Sequence, residues 1–195
     1  RGTEYQVMPD NMEAVTWLIG SVITGGDIEI ENFPFNDLEV AMIHLRESGA
    51  KFYRGDQSLI VRGGRCYPLE ISTGPHPGIN SDVQPLMAAY GACAKGVTRI
   101  VDLRFHGRYG YAEESAKMGI KSKVDGNTLR IHGNGGIIDG ATVRALDLRA
   151  GAALALLGLV AEGQTIIEES WMIERGYHNF HSKLEQLGAQ INSHS

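Results

Sequence analysis

The chain has 195 residues, 43% of them apolar, a net charge of -5 at pH 7 and a pI near 5.8. That length suits one domain or two small ones with a real core, and the acidic balance argues against a broad surface for nucleic acid or anionic membrane. The longest uncharged apolar run, Ala152 to Ala161, is about half of what a bilayer requires and no signal segment opens the chain, so a soluble, cytoplasmic protein is expected.

Residues 4–7, EYQV, read as a short strand. Pro9 and Asp10 then start a helix, with Asp10 and Glu13 at capping-box spacing, that ends at Gly25 and Gly26. IEIENF alternates in the strand period, DLEVAMIHLRESG places Leu38, Met42 and Leu45 at helical spacing, and KFYRGDQSLIVRG reads as a hairpin about Gly55 and Asp56. YPLEIS follows as a strand and SDVQPLMAAYGACAKG as a helix, with Ser81 and Gln84 at capping-box spacing and Pro85 tolerated in the first turn. RIVDLRF is a strand, YAEESAKMG a helix, and a hairpin turns at DGN. IIDGATVRA precedes the helix LRAGAALALLGLVAEG, then come TIIEES, the helix YHNFHSKLEQLG and a strand AQI.

This order repeats. LRESGAK at 45–51, ESAKMGIK at 114–121 and LEQLGAQ at 184–190 share apolar, polar and glycine spacing, and their glycines, Gly49, Gly119 and Gly188, step by 70 and 69 residues. Gly26, Gly96 and Gly163 step by 70 and 67. The chain therefore reads as an α/β (α+β) domain of three pseudo-threefold βαβαββ repeats, 1–64, 65–133 and 134–195, the third lacking its last hairpin arm. That missing arm would leave an open strand edge, and the chain opens on arginine, so a fragment or one half of a two-domain enzyme is expected.

Candidate chemistry starts at the first helix of each repeat. Asp10, Asp82 and Asp147 stand 16, 14 and 16 residues before the glycine that closes each helix, where a carboxylate caps backbone N–H groups. Asp10 reads as a cap. Asp82 follows the glycine–proline loop TGPHPGIN, and Arg149 in DLRAG lies at a helix N-terminus, where the dipole favours anions; its presence fits an anion bound by guanidinium and free N–H groups together. Arg108 and Arg175 each stand between the second strand and second helix of a repeat. Singly, each reads as a solvated charge; three arginines at related places are also placed to converge near an axis as a pocket for a phosphate or carboxylate. Cys66 and Cys93 form neither a disulfide framework nor a zinc site, and His178 and His181 read as a solvated helix face. No metal or cofactor is expected.

VMPDNMEAVTWLIGSVITGGD, TGPHPGINSDVQ, DLRAGAALALLGLVAEG and RGYHNFHSKLEQLGA, in that chain order, resemble the C-terminal half of the UDP-N-acetylglucosamine enolpyruvyl transferase (1-carboxyvinyltransferase) family, within the EPSP synthase-like superfamily. The resemblance spans nearly the whole chain. It implies buried helices with outer sheets, the inside-out α/β barrel type, and transfer of enolpyruvyl from phosphoenolpyruvate to the 3-hydroxyl of UDP-N-acetylglucosamine in peptidoglycan precursor synthesis. By resemblance, Arg149 and Arg175 match positions that hold the donor, Arg108 matches the arginine of an ENR turn, Asp82 the carboxylate beside the acceptor hydroxyl and Asp147 a second carboxylate near the transferred carbon. The family's lysine–asparagine pair and cysteine-bearing lid lie in an N-terminal half, the expected missing partner, so the chain alone is expected to be inactive.

The sequence departs from the family at INSD for FPTD, at HGR for ENR, and at Arg104, which stands where the family has a small aliphatic residue near the nucleotide sugar. These changes bear on the acceptor. A paralogue using another nucleotide or phosphorylated acceptor, and a non-catalytic binding domain of the same fold, are the alternatives. RNA 3'-phosphate cyclase shares a related repeat architecture, but the acidic balance and the DLRAG helix start do not favour it.

Overall fold

The computed structural model describes residues 2–192. Asp10 caps the first helix, α1 (Asn11–Thr24), accepting from the N–H groups of Met12 and Glu13, and Gly25 closes it at φ +68°. β1 (Asp27–Glu31), α2 (Phe35–Glu47), β2 (Ala50–Arg54) and β3 (Ser58–Gly64) follow, with β3 antiparallel between β1 and β2. Leu38, Ala41, Met42 and Leu45 form the buried stripe of α2, at the 3- and 4-residue spacing that puts them on one face.

The middle stretch has β4 (Glu70–Ser72), a 3-10 turn (Ser81–Val83), α3 (Gln84–Cys93), β5 (Lys95–Val101), α4 (Tyr111–Ala116), β6 (Lys121–Asp125) and β7 (Thr128–Asn134). Its sheet order is β4-β5-β7-β6, with β4 and β5 parallel and the other pairs antiparallel. The last stretch has β8 (Thr142–Arg144), α5 (Leu148–Gly158), β9 (Ile166–Glu168), α6 (Trp171–Glu174) and α7 (Phe180–Gln186), with β8 and β9 parallel.

Three first helices form the core. α1, α3 and α5 touch one another, and every residue of α3 is buried. No charged residue occurs from Gln84 to Cys93, so α3 has no face that favours water. Small residues set the spacing: a Cβ on Gly20 of α1 would stand 3.0 Å from Leu156 Cδ2 of α5, and one on Gly91 of α3 would stand 2.7 Å from Thr98 of β5. α7 closes over α1, Phe180 stacking on Trp17 with ring centroids 5.4 Å apart while Lys183 pairs with Glu13. Among the described residues no helix is long and apolar enough to cross a membrane.

Several boundaries differ from the sequence reading. Residues 4–7 are not a strand: Tyr5 and Val7 are exposed and the segment pairs with nothing, and alternation without a ladder neighbour does not hold a strand together. Residues 189–191 are not a strand either, the N–H of Ala189 turning back to Leu184 O. The helix read over 148–163 stops at Gly158, and the one read over 177–188 begins only at Phe180, after Asn179 at φ +51°. α6 was not foreseen. The capping-box glutamate is also spent elsewhere, since Glu13 accepts from Trp17 Nε1 and Lys183 instead of its own cap.

Candidate active site

Asp147 stands in extended backbone at the start of α5, where Oδ1 accepts from the N–H groups of Arg149 and Ala150, both at 2.8 Å. That bond fixes the carboxylate and leaves Oδ2 facing Arg108 Nη2 at 3.9 Å. Asp82 lies in the 3-10 turn before α3. It does not cap: Asn80 does, its side chain accepting from Asp82 N at 3.0 Å. Asp82 Oδ1 is free to accept from Arg108 Nη1 at 2.8 Å, and Oδ2 lies 3.8 Å from Arg149 Nε. The result is a row of alternating charge: Asp147, Arg108, Asp82, Arg149.

Arg149 is the most enclosed member, its side chain 12% exposed. Its guanidinium carbon lies 5.1 Å from the centroid of Tyr177, a buried ring whose hydroxyl is 2.9 Å from Thr16 Oγ1 on α1. Nε and Nη1 are buried, and among the described residues neither has a hydrogen-bond partner. Buried donors are normally satisfied, because leaving one unpaired costs about 1 to 3 kcal/mol, and this guanidinium departs from that pattern. The RGY turn closes over it: a Cβ on Gly176 would meet Leu148 Cδ1 at 2.1 Å and Arg149 Nη1 at 3.4 Å.

The two other arginines lie apart. Arg175 ends α6 with an exposed side chain, its Nη1 3.8 Å from Met172 Sδ, in a groove shared with Asp10, Glu13, His178 and Asn179. Arg104 is exposed, stands over the Phe105 ring at 5.4 Å, and lines a separate recess with Asn11, Asp37, His76, Ile79 and Asn80. Phe105 takes Arg108 at a similar distance, 5.3 Å. Thus Arg108 and Arg149 meet at Asp82, whereas among the described residues no ion pair links Arg175 or Arg104 to them.

Asp102 was missed in the sequence, where it was read inside a strand running to Phe105. β5 ends at Val101, because the Asp102 carboxylate turns the chain by accepting the N–H groups of Arg104 and Phe105. It is 1% exposed and also accepts from Thr73, Ser81 and Gln84. Burial pushes its carboxyl up, but the bonds from Ser81, from the Phe105 and Arg104 amides and from Thr73 outweigh it and hold the group below the usual carboxylate range. Ser81 and Gln84 are therefore not a capping box; both face Asp102. The only sequence signal was an aspartate directly after an alternating strand.

The remaining candidates are plain. Burial pushes the Cys66 thiol up to about 11 and the Cys93 thiol up to about 12, which suits inert packing groups. His178 and His181 are exposed, His181 lying 3.2 Å from Glu174.

Buried helices flanked by sheets thus carry paired carboxylates and guanidinia where α3 and α5 begin. The family model for EPSP synthase (3-phosphoshikimate 1-carboxyvinyltransferase) matches residues 1–184. A UDP-N-acetylglucosamine 1-carboxyvinyltransferase of Sorangium cellulosum is 40% identical over 189 residues, 95% of this chain and 44% of that protein. One from Desulfofundulus thermocisternus is also 40% identical, over 96% of this chain and 77% of its own length. The crystal structure of the enolpyruvyl transferase NikO from Streptomyces tendae superposes with a TM-score of 0.84 at 31% identity, over 95% of this chain and 44% of that one. The chain belongs to the EPSP synthase family, with the UDP-N-acetylglucosamine 1-carboxyvinyltransferases among its relatives. It spans under half the length of several of them, 44% to 46%.

Proposed function

We propose that this chain is a catalytic half of a UDP-N-acetylglucosamine 1-carboxyvinyltransferase, moving enolpyruvyl from phosphoenolpyruvate to the 3-hydroxyl of the nucleotide sugar at the first committed step of peptidoglycan precursor synthesis. One observation carries the reading: Arg149, buried with two nitrogens unpartnered among the described residues, stands against Asp82 in a row that Arg108 and Asp147 complete. The 40% identity to transferases of that name supports it.

Phosphoenolpyruvate brings a phosphate and a carboxylate, and guanidinium forks suit both. When Arg149 turns to the donor, Asp82 Oδ2 loses its neighbour while Oδ1 stays on Arg108. Asp82 then takes the proton of the acceptor hydroxyl as its oxygen bonds to donor C2, while C3 takes a proton from a general acid of the other half of the enzyme, giving a tetrahedral adduct. Return of a C3 proton to that group restores the double bond as the C2–O bond to phosphate breaks, and phosphate leaves with the proton that Asp82 took. Asp147, anchored to α5 by Oδ1, faces the reacting carbon with Oδ2. Arg175, held among the described residues by Met172 alone, turns from its groove to the donor.

The finer architecture belongs to the same reading: three related units, 1–64, 65–133 and 134–195, in an inside-out barrel with α1, α3 and α5 as equivalent helices. Their mutual packing and the left-handed glycines Gly49, Gly119 and Gly188 after α2, α4 and α7 support it. The other half of the enzyme supplies the lysine and the lid, and the whole works in the cytoplasm.

A second reading, an altered acceptor, is favoured by Arg104 and His76 lining one recess beside Asn80, two residues before Asp82. An added cation there suits an acceptor with another phosphate or carboxylate. The test is phosphate release by the intact protein with phosphoenolpyruvate and UDP-N-acetylglucosamine, uridine monophosphate or shikimate 3-phosphate in turn. Turnover with the nucleotide sugar supports the first reading, turnover with another acceptor alone supports the second, and none with any favours a binding domain.

A further inference from the structure

Five donors converge on the Asp102 carboxylate, and all are neutral. Oδ1 accepts from Thr73 Oγ1 at 2.9 Å, Arg104 N at 2.9 Å and Phe105 N at 3.1 Å, and Oδ2 accepts from Ser81 Oγ at 2.5 Å and Gln84 Nε2 at 3.1 Å. They come from three segments: the end of β4, the turn into α3, and the loop after β5. Gln84 extends the network, accepting from Tyr111 OH at 2.7 Å and reaching Arg108 O at 3.5 Å. Thr73 Oγ1 extends it again by accepting Leu103 N at 3.2 Å. Ser81 directly precedes Asp82, while Arg104 and Phe105 lead through His106 and Gly107 into Arg108.

We infer that Asp102 is a positioning residue for the proposed reaction: its buried carboxylate holds the turn bearing Asp82 and the loop bearing Arg104 and Arg108 in one arrangement, so that Asp82 meets Arg108. This rests on the functional reading given above. Only an acceptor-only group suits the position, because all five partners donate. An amide would set an N–H against Gln84 Nε2, and turning Gln84 over would forfeit the bond from Tyr111. Arg149, by contrast, is set by α5, whose cap is Asp147, and by Tyr177, none of which touches Asp102. Asp102 thus governs the acceptor side of the site and leaves the donor side alone.

The experiment uses the intact protein with Asp102→Asn, and with Ser81→Ala as a milder change that removes one donor. The KM for phosphoenolpyruvate should stay near wild type while the KM for UDP-N-acetylglucosamine rises by about tenfold and kcat falls by about 10- to 100-fold, the scale expected when a reacting group moves by about 1 Å. Ser81→Ala should show the same split, smaller. Adding Gln84→Glu to Asp102→Asn should recover part of the loss, since the new amide then meets an acceptor. Equal shifts in both KM values, or a fall in melting temperature with unchanged kinetics, would overturn the inference. If wild type turns over no acceptor, the functional reading fails and backbone hydrogen exchange decides the positioning role separately. Faster exchange confined to 81–83 and 103–108 upholds it, and exchange unchanged or raised equally in α5 refutes it.

Discussion

Arg108 donates from Nη1 to Asp82 Oδ1 at 2.8 Å, and its Nη2 lies 3.9 Å from Asp147 Oδ2, so one guanidinium joins the starts of α3 and α5. The carboxylate it holds caps nothing, because Asn80 fills that role. Its chemistry can therefore be removed without touching a helix.

Asp82→Asn in the intact protein should keep the melting temperature close to wild type and still bind the acceptor. Turnover should fall by about 10²-fold or more, the contribution of a positioned base. Steady-state phosphate release beside calorimetric acceptor titration measures both, and unchanged turnover would remove Asp82 from the mechanism.

Arg149 and Arg175 should separate under mutation. Arg149→Ala deletes a buried stem lying over Tyr177 as well as a charge, so it should lower thermal stability and weaken donor use by about 2 to 5 kcal/mol. Arg175→Ala removes an exposed side chain and should leave stability within about 0.5 kcal/mol while donor KM rises. Equal stability losses in the two variants would contradict this.

Gly176→Ala tests the turn over Arg149. Its methyl would stand 2.1 Å from Leu148 Cδ1, so the Leu148 side chain, the turn or the start of α5 must move. Overpacking of this kind costs about 1 to 3 kcal/mol, and the shift should raise the KM for phosphoenolpyruvate more than that for the acceptor. Leu148→Ala in the same chain opens the space and should restore donor binding, which titration of phosphoenolpyruvate would detect.

Alkaline pH should destabilise the protein through its thiols. Unfolded cysteine ionises near about 8.5. Burial holds Cys66 up to about 11 and Cys93 up to about 12. Below about pH 8.5 both states keep these protons; above it the unfolded chain releases protons that the folded one retains, so stability falls as pH rises toward the folded values. Urea midpoints at pH 8 and pH 10.5 measure the drop, and Cys93→Ala should shrink it. A variant with the same drop would assign it to other groups.

Much of this was legible locally. Asp10 and Asp147 announced helix starts, and Leu38, Met42 and Leu45 stood at the helical spacing of the stripe that α2 buries, because capping and periodicity act over a few neighbouring residues. Asp82, Asp147, Arg108 and Arg149 were named from helix starts, loops and family resemblance. That Arg108 and Arg149 converge on Asp82 while Arg175 and Arg104 point into other recesses was decided by tertiary packing, since it depends on where loops from different stretches lie after α1, α3 and α5 come together. The same holds for residues 4–7, whose alternation finds no ladder partner, and for Asp102. The partners of Asp102 reach from Thr73 to Phe105, and no local pattern marks a carboxylate whose environment is made by distant segments.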